Sequence, residues 1–309
     1  MNATPSLAAI EQTAGKGAAR AAARRRRKGV ALAGGSDRRP GWVTYAVLGV
    51  ALLISAYPLY FAFLLASSTS AQIAQNPVPS LLPGGELLVN LKRVLESDID
   101  LWQATLNSVF VAALTAASVV FFSTLAGYAF SKLRFRGRAP LLLFVIATMA
   151  VPTQLGVVPL YIVMRNLGLT GNLFAVILPG MVTAFGVFWM TQYLDSALPY
   201  ELIEAARIDG ASMFRTFRSV VLPAARPAAA MLGLFTFIGS WTSFFWPSIV
   251  LGTSNPTLPV ALQLLQAGFF KDIALVMAGV VLSVIPLLVL FLVAGKQLVS
   301  GIMQGAVKG

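Results

Sequence analysis

Six stretches of the chain run for about twenty residues or more without a single Asp, Glu, Lys or Arg: 42–66, 105–130, 139–164, 174–194, 228–250 and 274–295. A bilayer's hydrocarbon is about 30 Å thick, and a helix rising about 1.5 Å per residue needs about 20 residues to cross it. The pattern predicts an all-α, polytopic membrane protein of six transmembrane helices. Pro152, Gln154, Gly156 and Pro159 interrupt the third stretch. Pro152, Pro159, Pro179 and Pro247 mark places where freed backbone groups must find neighbours or a water-lined cavity, which is compatible with a gated pathway and is also found in inert bundles. Between the fourth and fifth stretches the apolar pattern stops, and residues 195–227 carry charges, a glycine and several prolines.

Composition agrees with the pattern. The chain is 57% hydrophobic and 11% charged, with a mean hydropathy of +0.79. Soluble domains carry charge on about a quarter of their residues. The organisation read from the sequence is a basic tail over 1–41, a first span over 42–66 and an extracytoplasmic loop over 67–104. A domain holding the other five spans follows over 105–296, with a polar loop at 199–223, and then a short tail over 297–309.

The net charge of +12 raises the question of nucleic acid, and its distribution answers it. Nineteen of the 23 Lys and Arg fall in the first tail, the loop 131–138, the insert 195–227 and the C-terminal end. Only Lys92, Arg93, Arg165 and Lys271 fall on the other side of the membrane. By the positive-inside bias both termini and the insert are expected in the cytoplasm. The polybasic tail is an orientation signal that also touches anionic lipid. It has neither the folded basic surface nor the interleaved aromatics of a nucleic-acid binder. The membrane-length run after the arginines reads as an uncleaved first span rather than a signal peptide.

Several chemistries are excluded. Cys and His are both absent, which removes disulfides, thiolate nucleophiles, imidazole bases and the usual zinc patterns. No charge lies within the six stretches, whereas ion-coupled carriers keep a charged group at membrane depth to couple to the ion. The polar groups inside are neutral: Asn107, Ser108, Thr153, Gln154, Thr183, Ser240, Trp241, Thr242 and Ser243. Hydroxyls, amides and an indole suit an uncharged, hydroxyl-rich solute, although small polar residues also serve as glue between membrane helices. Asn107, Gln154, Trp241, Thr242 and Ser243 are the candidate pathway residues.

The insert has its own local logic. Residues 199–208 are good helix formers, Glu204 stands one turn from Arg207, and Gly210 offers the left-handed conformation for a sharp break. Ser212 is placed to cap a second helix, whose Met213, Phe214, Phe217, Val220 and Val221 share one face opposite Arg215 and Arg218. Leu222-Pro223 is expected to stop it. An Ala-rich first half suits a protein groove better than a lipid surface.

Glu204-Ala205-Ala206, three residues, Gly210, nine residues and then Val220-Val221-Leu222-Pro223 resembles the EAA loop of ABC-importer permeases, with Val220 in place of the usual Ile. The stretches AGYAFSKLRFRGR (126–138), VPLYIVMRNLGLTGN (158–172), ILPGMVTAFGVFWMTQY (177–193) and the ending GIMQGAVKG are similar to the carbohydrate-importer branch, in particular to the smaller permease of maltose-type systems. The resemblance covers roughly 42–309. It implies that Glu204 is an acidic docking contact, that Ala205 and Ala206 pack closely against an ATPase subunit, and that Asp209 and Gly210 form the turn. Leu222 and Pro223 complete the coupling element. It also implies a second, different permease, two ATPase subunits holding ATP and magnesium, an extracytoplasmic sugar-binding protein, and a bacterial plasma membrane. This chain has no G-x-x-x-x-G-K-[ST] phosphate loop, so no cofactor is expected in it and its energy must come from another chain. The reading is a non-enzymatic permease subunit for a short, cellobiose-like oligosaccharide. The alternatives are an ion-coupled or passive carrier, or a non-transporting membrane scaffold.

Overall fold

The computed structural model describes residues 41–76, 78, 81–266 and 272–306, as backbone alone beyond 293. The basic tail, up to residue 40, lies outside the described residues, as do Lys271 and Lys308. Among the described residues the secondary structure is helical, with no strand.

The chain divides into two units at Pro58. The described part of the first is most of helix α1 (Trp42–Ala66), whose large apolar side chains up to that point are exposed. Only 6% of its most apolar window is buried, which suits a surface that a bilayer covers.

The second unit begins with two short helices, α2 (Ser70–Gln75) and α3 (Leu87–Leu95). A capping box opens α2: Thr69 Oγ1 accepts from the Gln72 N–H, and the Gln72 side chain accepts from the Thr69 N–H. The long helix α4 (Leu101–Lys132) starts where Asp100 accepts from the Gln103 N–H at 2.8 Å. Helices α5 (Arg138–Thr148) and α6 (Val157–Asn166) follow, then α7 (Phe174–Gly180) and α8 (Ala184–Ala197). Beyond the polar insert come α11 (Leu222–Trp241), α12 (Phe245–Val250), α13 (Leu258–Leu264) and α14 (Ile273–Ala306).

Among the described residues four helical stretches are long and apolar enough to cross a membrane, or six if each of two bent pairs counts as one span. The expected third span is the first of these pairs. It breaks by 87° between α5 and the 3-10 turn Thr153–Gly156. Pro152 has no N–H to donate and disfavours helical backbone at Val151. The second pair, α7 and α8, bends by 43° between Gly180 and Thr183, next to Pro179. Thr183 restarts the helix by accepting from the Gly186 N–H at 3.0 Å.

The fifth span also differs from the expected 228–250. Leu222-Pro223 does not stop the preceding helix. A wide π turn at Phe217–Val221 absorbs the missing Pro223 N–H, and the helix continues unbroken in sense from Met213 to Trp241. Residues 242–244 then turn away, and Pro247 falls in the first turn of α12, where its absent donor is not needed.

The main core sits where α4, α8 and α11 meet. Val119, Met190, Leu194 and Leu232 are each no more than 1% exposed there. Gly127 lets α4 and α8 approach so closely that an added Cβ would stand 2.7 Å from the Met190 Cβ. At the other end, Asp272 joins α14 to the 67–104 segment. Its carboxylate accepts from the Leu275 N–H at 3.0 Å, Ser70 Oγ at 2.7 Å and the Arg93 guanidinium at 2.6 Å. Burial would raise this carboxyl's pKa, but the Leu275 and Ser70 hydrogen bonds and Arg93 outweigh it and hold the group below the usual range.

Candidate coupling elbow and translocation cavity

The insert folds as a helical elbow. Helix α9 (Tyr200–Ile208) ends in two paired hydrogen bonds, Gly210 N–H to the Arg207 carbonyl at 3.0 Å and Ala211 N–H to the Ala206 carbonyl at 2.9 Å. Gly210 between them has φ +72°, which completes a Schellman turn. Ser212 Oγ then accepts from the Arg215 N–H at 3.3 Å and opens helix α10 (Met213–Thr216).

The elbow is keyed into the bundle at a few points and bare elsewhere. Ile203, Phe217 and Val221 are at most 4% exposed and belong to the main core. Arg134, from the loop after α4, lies over the Tyr200 ring at 5.6 Å. By contrast Leu202, Ile208, Met213 and Phe214 are 50–86% exposed. The sequence put Met213 and Phe214 on one face with Phe217 and Val221. The chain covers only the latter two, because the helix rotates into the core only after its first turn. Glu204, Ala205, Asp209 and Gly210 are exposed and Ala206 is half-buried. Among the described residues Glu204 makes no ion pair with Arg207. Leu222 and Pro223 begin α11 on its exposed side.

A cavity of about 830 Å³ opens between α6, α7, α11 and the start of α12. Gln154, Thr153, Thr183, Ser240 and Ser243 line it, and among the described residues no Asp, Glu, Lys or Arg does. Asn107, Trp241 and Thr242 do not reach it. The Asn107 amide donates to the Pro256 carbonyl at 3.0 Å and its oxygen accepts from Gln103, so the side chain ties α4 to the segment before α13. Trp241 is 3% exposed and stacks on Phe237 at 6.0 Å. The exposed Thr242 hydroxyl donates back to the Ile238 carbonyl. Sequence reading missed Thr115, Thr236, Phe245 and Trp246, which also line the cavity. The spacing of Ser240, Ser243 and Thr236 along α11 and its end held a signal for Thr236.

Membrane-length helices around a charge-free cavity, with a bare elbow at one end, define the permease component of a transporter. A family profile described as "Binding-protein-dependent transport system inner membrane component" matches residues 119–298, and the chain belongs to that family of ABC-importer permeases. Its members are multi-pass membrane components of importers that also comprise an ATPase and a binding protein, and they are not enzymes. The chain is 28% identical over 270 residues to the arabinooligosaccharides transport system permease protein AraQ of Halalkalibacterium halodurans, covering 87% of this chain and 96% of that one. It is 29% identical over 272 residues to the lactose transport system permease protein LacG of Rhizobium radiobacter, covering 88% and 97%. It is 31% identical over 275 residues to the sn-glycerol-3-phosphate permease UgpE of Salmonella typhi, covering 84% and 94%. Among solved structures, a chain of a bacterial ABC transporter importing the acidic polysaccharide alginate superposes with a TM-score of 0.68 at 27% identity, over 82% of this chain and 94% of that one.

Proposed function

We propose that this chain is one permease of an ATP-driven importer for a neutral, short oligosaccharide of cellobiose-like size. It pairs with a second permease and with two ATPase subunits that hold ATP and magnesium, and it receives sugar from an extracytoplasmic binding protein. Both termini and the elbow face the cytoplasm of the bacterial cell, as the positive-inside bias requires.

The observation that carries this reading is the elbow. It leaves the apolar Leu202, Ile208, Met213 and Phe214 exposed along with Glu204 and Ala205. Its buried residues, Ile203, Phe217 and Val221, engage the helices that border the cavity. A subunit gripping the bare side therefore pushes directly on α4, α8 and α11. Moving a two-state equilibrium from 1:99 to 99:1 takes about 5.5 kcal/mol of differential binding, which nucleotide-driven closure of a partner can supply.

The neutral solute follows from the cavity. Relatives are named for neutral sugars and for a phosphate ester, and the structural neighbour takes an acidic polymer. A desolvated anion needs an opposing charge, and the described residues of the lining contribute none. The test uses the absence of cysteine from this chain. Ala205→Cys in the assembled complex should cross-link to an ATPase subunit, and proteoliposomes holding the complex should take up sugar only with ATP. Uptake without the ATPases would favour a passive or ion-coupled carrier, and capture of the ATPase with no uptake would favour a scaffold.

A further inference from the structure

A second hollow, of about 500 Å³, lies at the end of the bent pair α7–α8 opposite the elbow. Two loops build it, 167–173 ahead of α7 and 251–257 after α12. Gly168 and Gly171 take left-handed backbone, with φ +68° and +79°. Gly171 ties the loops together: its N–H donates to the Val250 carbonyl at 2.8 Å, and its carbonyl accepts from the Asn255 amide at 3.2 Å. Asn172 Oδ1 accepts from the Phe174 N–H at 2.9 Å.

These bonds use one half of each carboxamide. The Asn172 NH₂ and the Asn255 carbonyl oxygen remain uncommitted among the described residues, as do the Thr170 and Ser254 hydroxyls. All four residues line the hollow, together with Phe110 and Phe174. Those two rings meet edge to face at 6.2 Å, and each is close to half exposed. Among the described residues no charged side chain takes part. Paired neutral donors and acceptors beside bare aromatic surface complement a sugar ring, which has a hydroxylated edge and an apolar C–H face. The hollow adjoins the inner cavity through a single helix. Leu173 and Phe174 line the outer space while Val176, Pro179 and Gly180 line the inner one, about 9 Å along α7.

We infer that this hollow is a saccharide subsite at the entrance, holding one unit of a neutral oligosaccharide while the next reaches the cavity. The inference rests on the reading of the chain as a sugar importer. Thr170 and Asn172 belong to the NLGLTGN stretch, which lies outside both the elbow and the lining of the inner cavity.

The test is sugar protection of single thiols in the complete transporter, permeases and ATPases together in nanodiscs. Ser254→Cys and Gln154→Cys place one thiol each in a chain that has no other. Both are alkylated with a maleimide in the presence of lactose, cellobiose or arabinotriose, and sn-glycerol 3-phosphate serves as the charged control. The sugar that slows labelling of Q154C should slow labelling of S254C, and glycerol phosphate should slow neither. Adding Thr170→Val to S254C should raise the half-protecting sugar concentration about fivefold, as loss of one hydrogen bond would, without changing protection of Q154C. Protection of Q154C alone overturns the subsite. So does protection of S254C that appears only when the sugar-free binding protein is added, because the hollow is then a protein-docking face. If neither thiol is protected in a complex that imports the sugar with ATP, the subsite fails while the import reading stands. If no neutral sugar is imported at all, the import reading fails beneath it.

Discussion

Lys132 Nζ donates to the backbone carbonyl of Asp195 across 3.2 Å, from a side chain only 6% exposed. Lys132 closes α4 and Asp195 lies in the last turn of α8, so one buried ammonium answers the negative ends of two helices at once. The Asp195 carboxylate, 4.0 Å away and 65% exposed, adds little to this. Lys132→Met keeps the apolar stem and removes the charge, and should cost about 2 kcal/mol, the usual loss for a hydrogen bond from a charged donor. Asp195→Asn should change stability by less than about 0.5 kcal/mol. Thermal unfolding of the purified complex reads both, and equal losses would move the weight from the carbonyl to the carboxylate.

Gly210 separates conformational strain from crowding. A Cβ placed there meets nothing within 4 Å, yet φ is +72°. Gly210→Ala should therefore weaken the elbow by about 1–2 kcal/mol through backbone strain alone. Gly210→Val should do more, and Gly210→Asn, which tolerates left-handed backbone, should do least. In proteoliposomes a complex carrying the valine variant is expected to keep the ATP hydrolysis of its ATPase subunits while importing little sugar, with the chain still inserted in the membrane. Normal coupled uptake by Gly210→Val would remove the elbow from the mechanism.

The elbow was legible because its turn is local: Asp209-Gly210-Ala211-Ser212 fixes both the break and the next cap within four residues. The spans were legible where length alone decides, as in α4 and α14. What lay beyond the sequence was three-dimensional. Pro223 reads as a stop, and only a π turn five residues wide shows how the helix passes it. Trp241 and Ser243 are two residues apart, but one faces the core behind α11 and the other the cavity. A run of uncharged residues does not say which side meets solute. The apolar stripe from Met213 to Val221 likewise could not show that its first turn would remain bare.

Asp272 gives a pH dependence with a definite sign. Its carboxyl is held below the ordinary range by the Leu275 N–H, Ser70 and Arg93 against the opposing effect of burial. A depressed folded-state pKa contributes stability that is present above the unfolded value of about 3.9 and is lost as pH falls through the folded one. Wild type should be more stable than Asp272→Asn near neutrality, and the difference should shrink below about pH 4. Melting temperatures from pH 7 down to pH 3 measure it. A constant gap would mean that Asp272 acts through its neutral hydrogen bonds to α14 and not through its charge.

Two glycines distinguish damage to the bundle from changes to the pathway. A Cβ on Gly127 would stand 2.7 Å from the Met190 Cβ and 2.8 Å from the Met190 backbone carbon, and backbone cannot swing aside as a side-chain end can. Gly127→Ala must push α4 and α8 apart, at a cost of about 1–3 kcal/mol for overpacking. Gly239 lines the cavity, and a Cβ there meets nothing within 4 Å. Gly239→Ala should leave unfolding unchanged or slightly raised, since alanine suits a helix interior better by about 0.5–1 kcal/mol. It adds a methyl group to the cavity wall, so its effect should appear in sugar uptake, as a raised half-saturating concentration or a loss of the longer oligosaccharides. Uptake by Gly127→Ala should instead fall in proportion to the folded complex that remains. If both variants lose stability alike, the space beside Gly239 is closed in the assembled transporter, and the cavity wall lies elsewhere on α11.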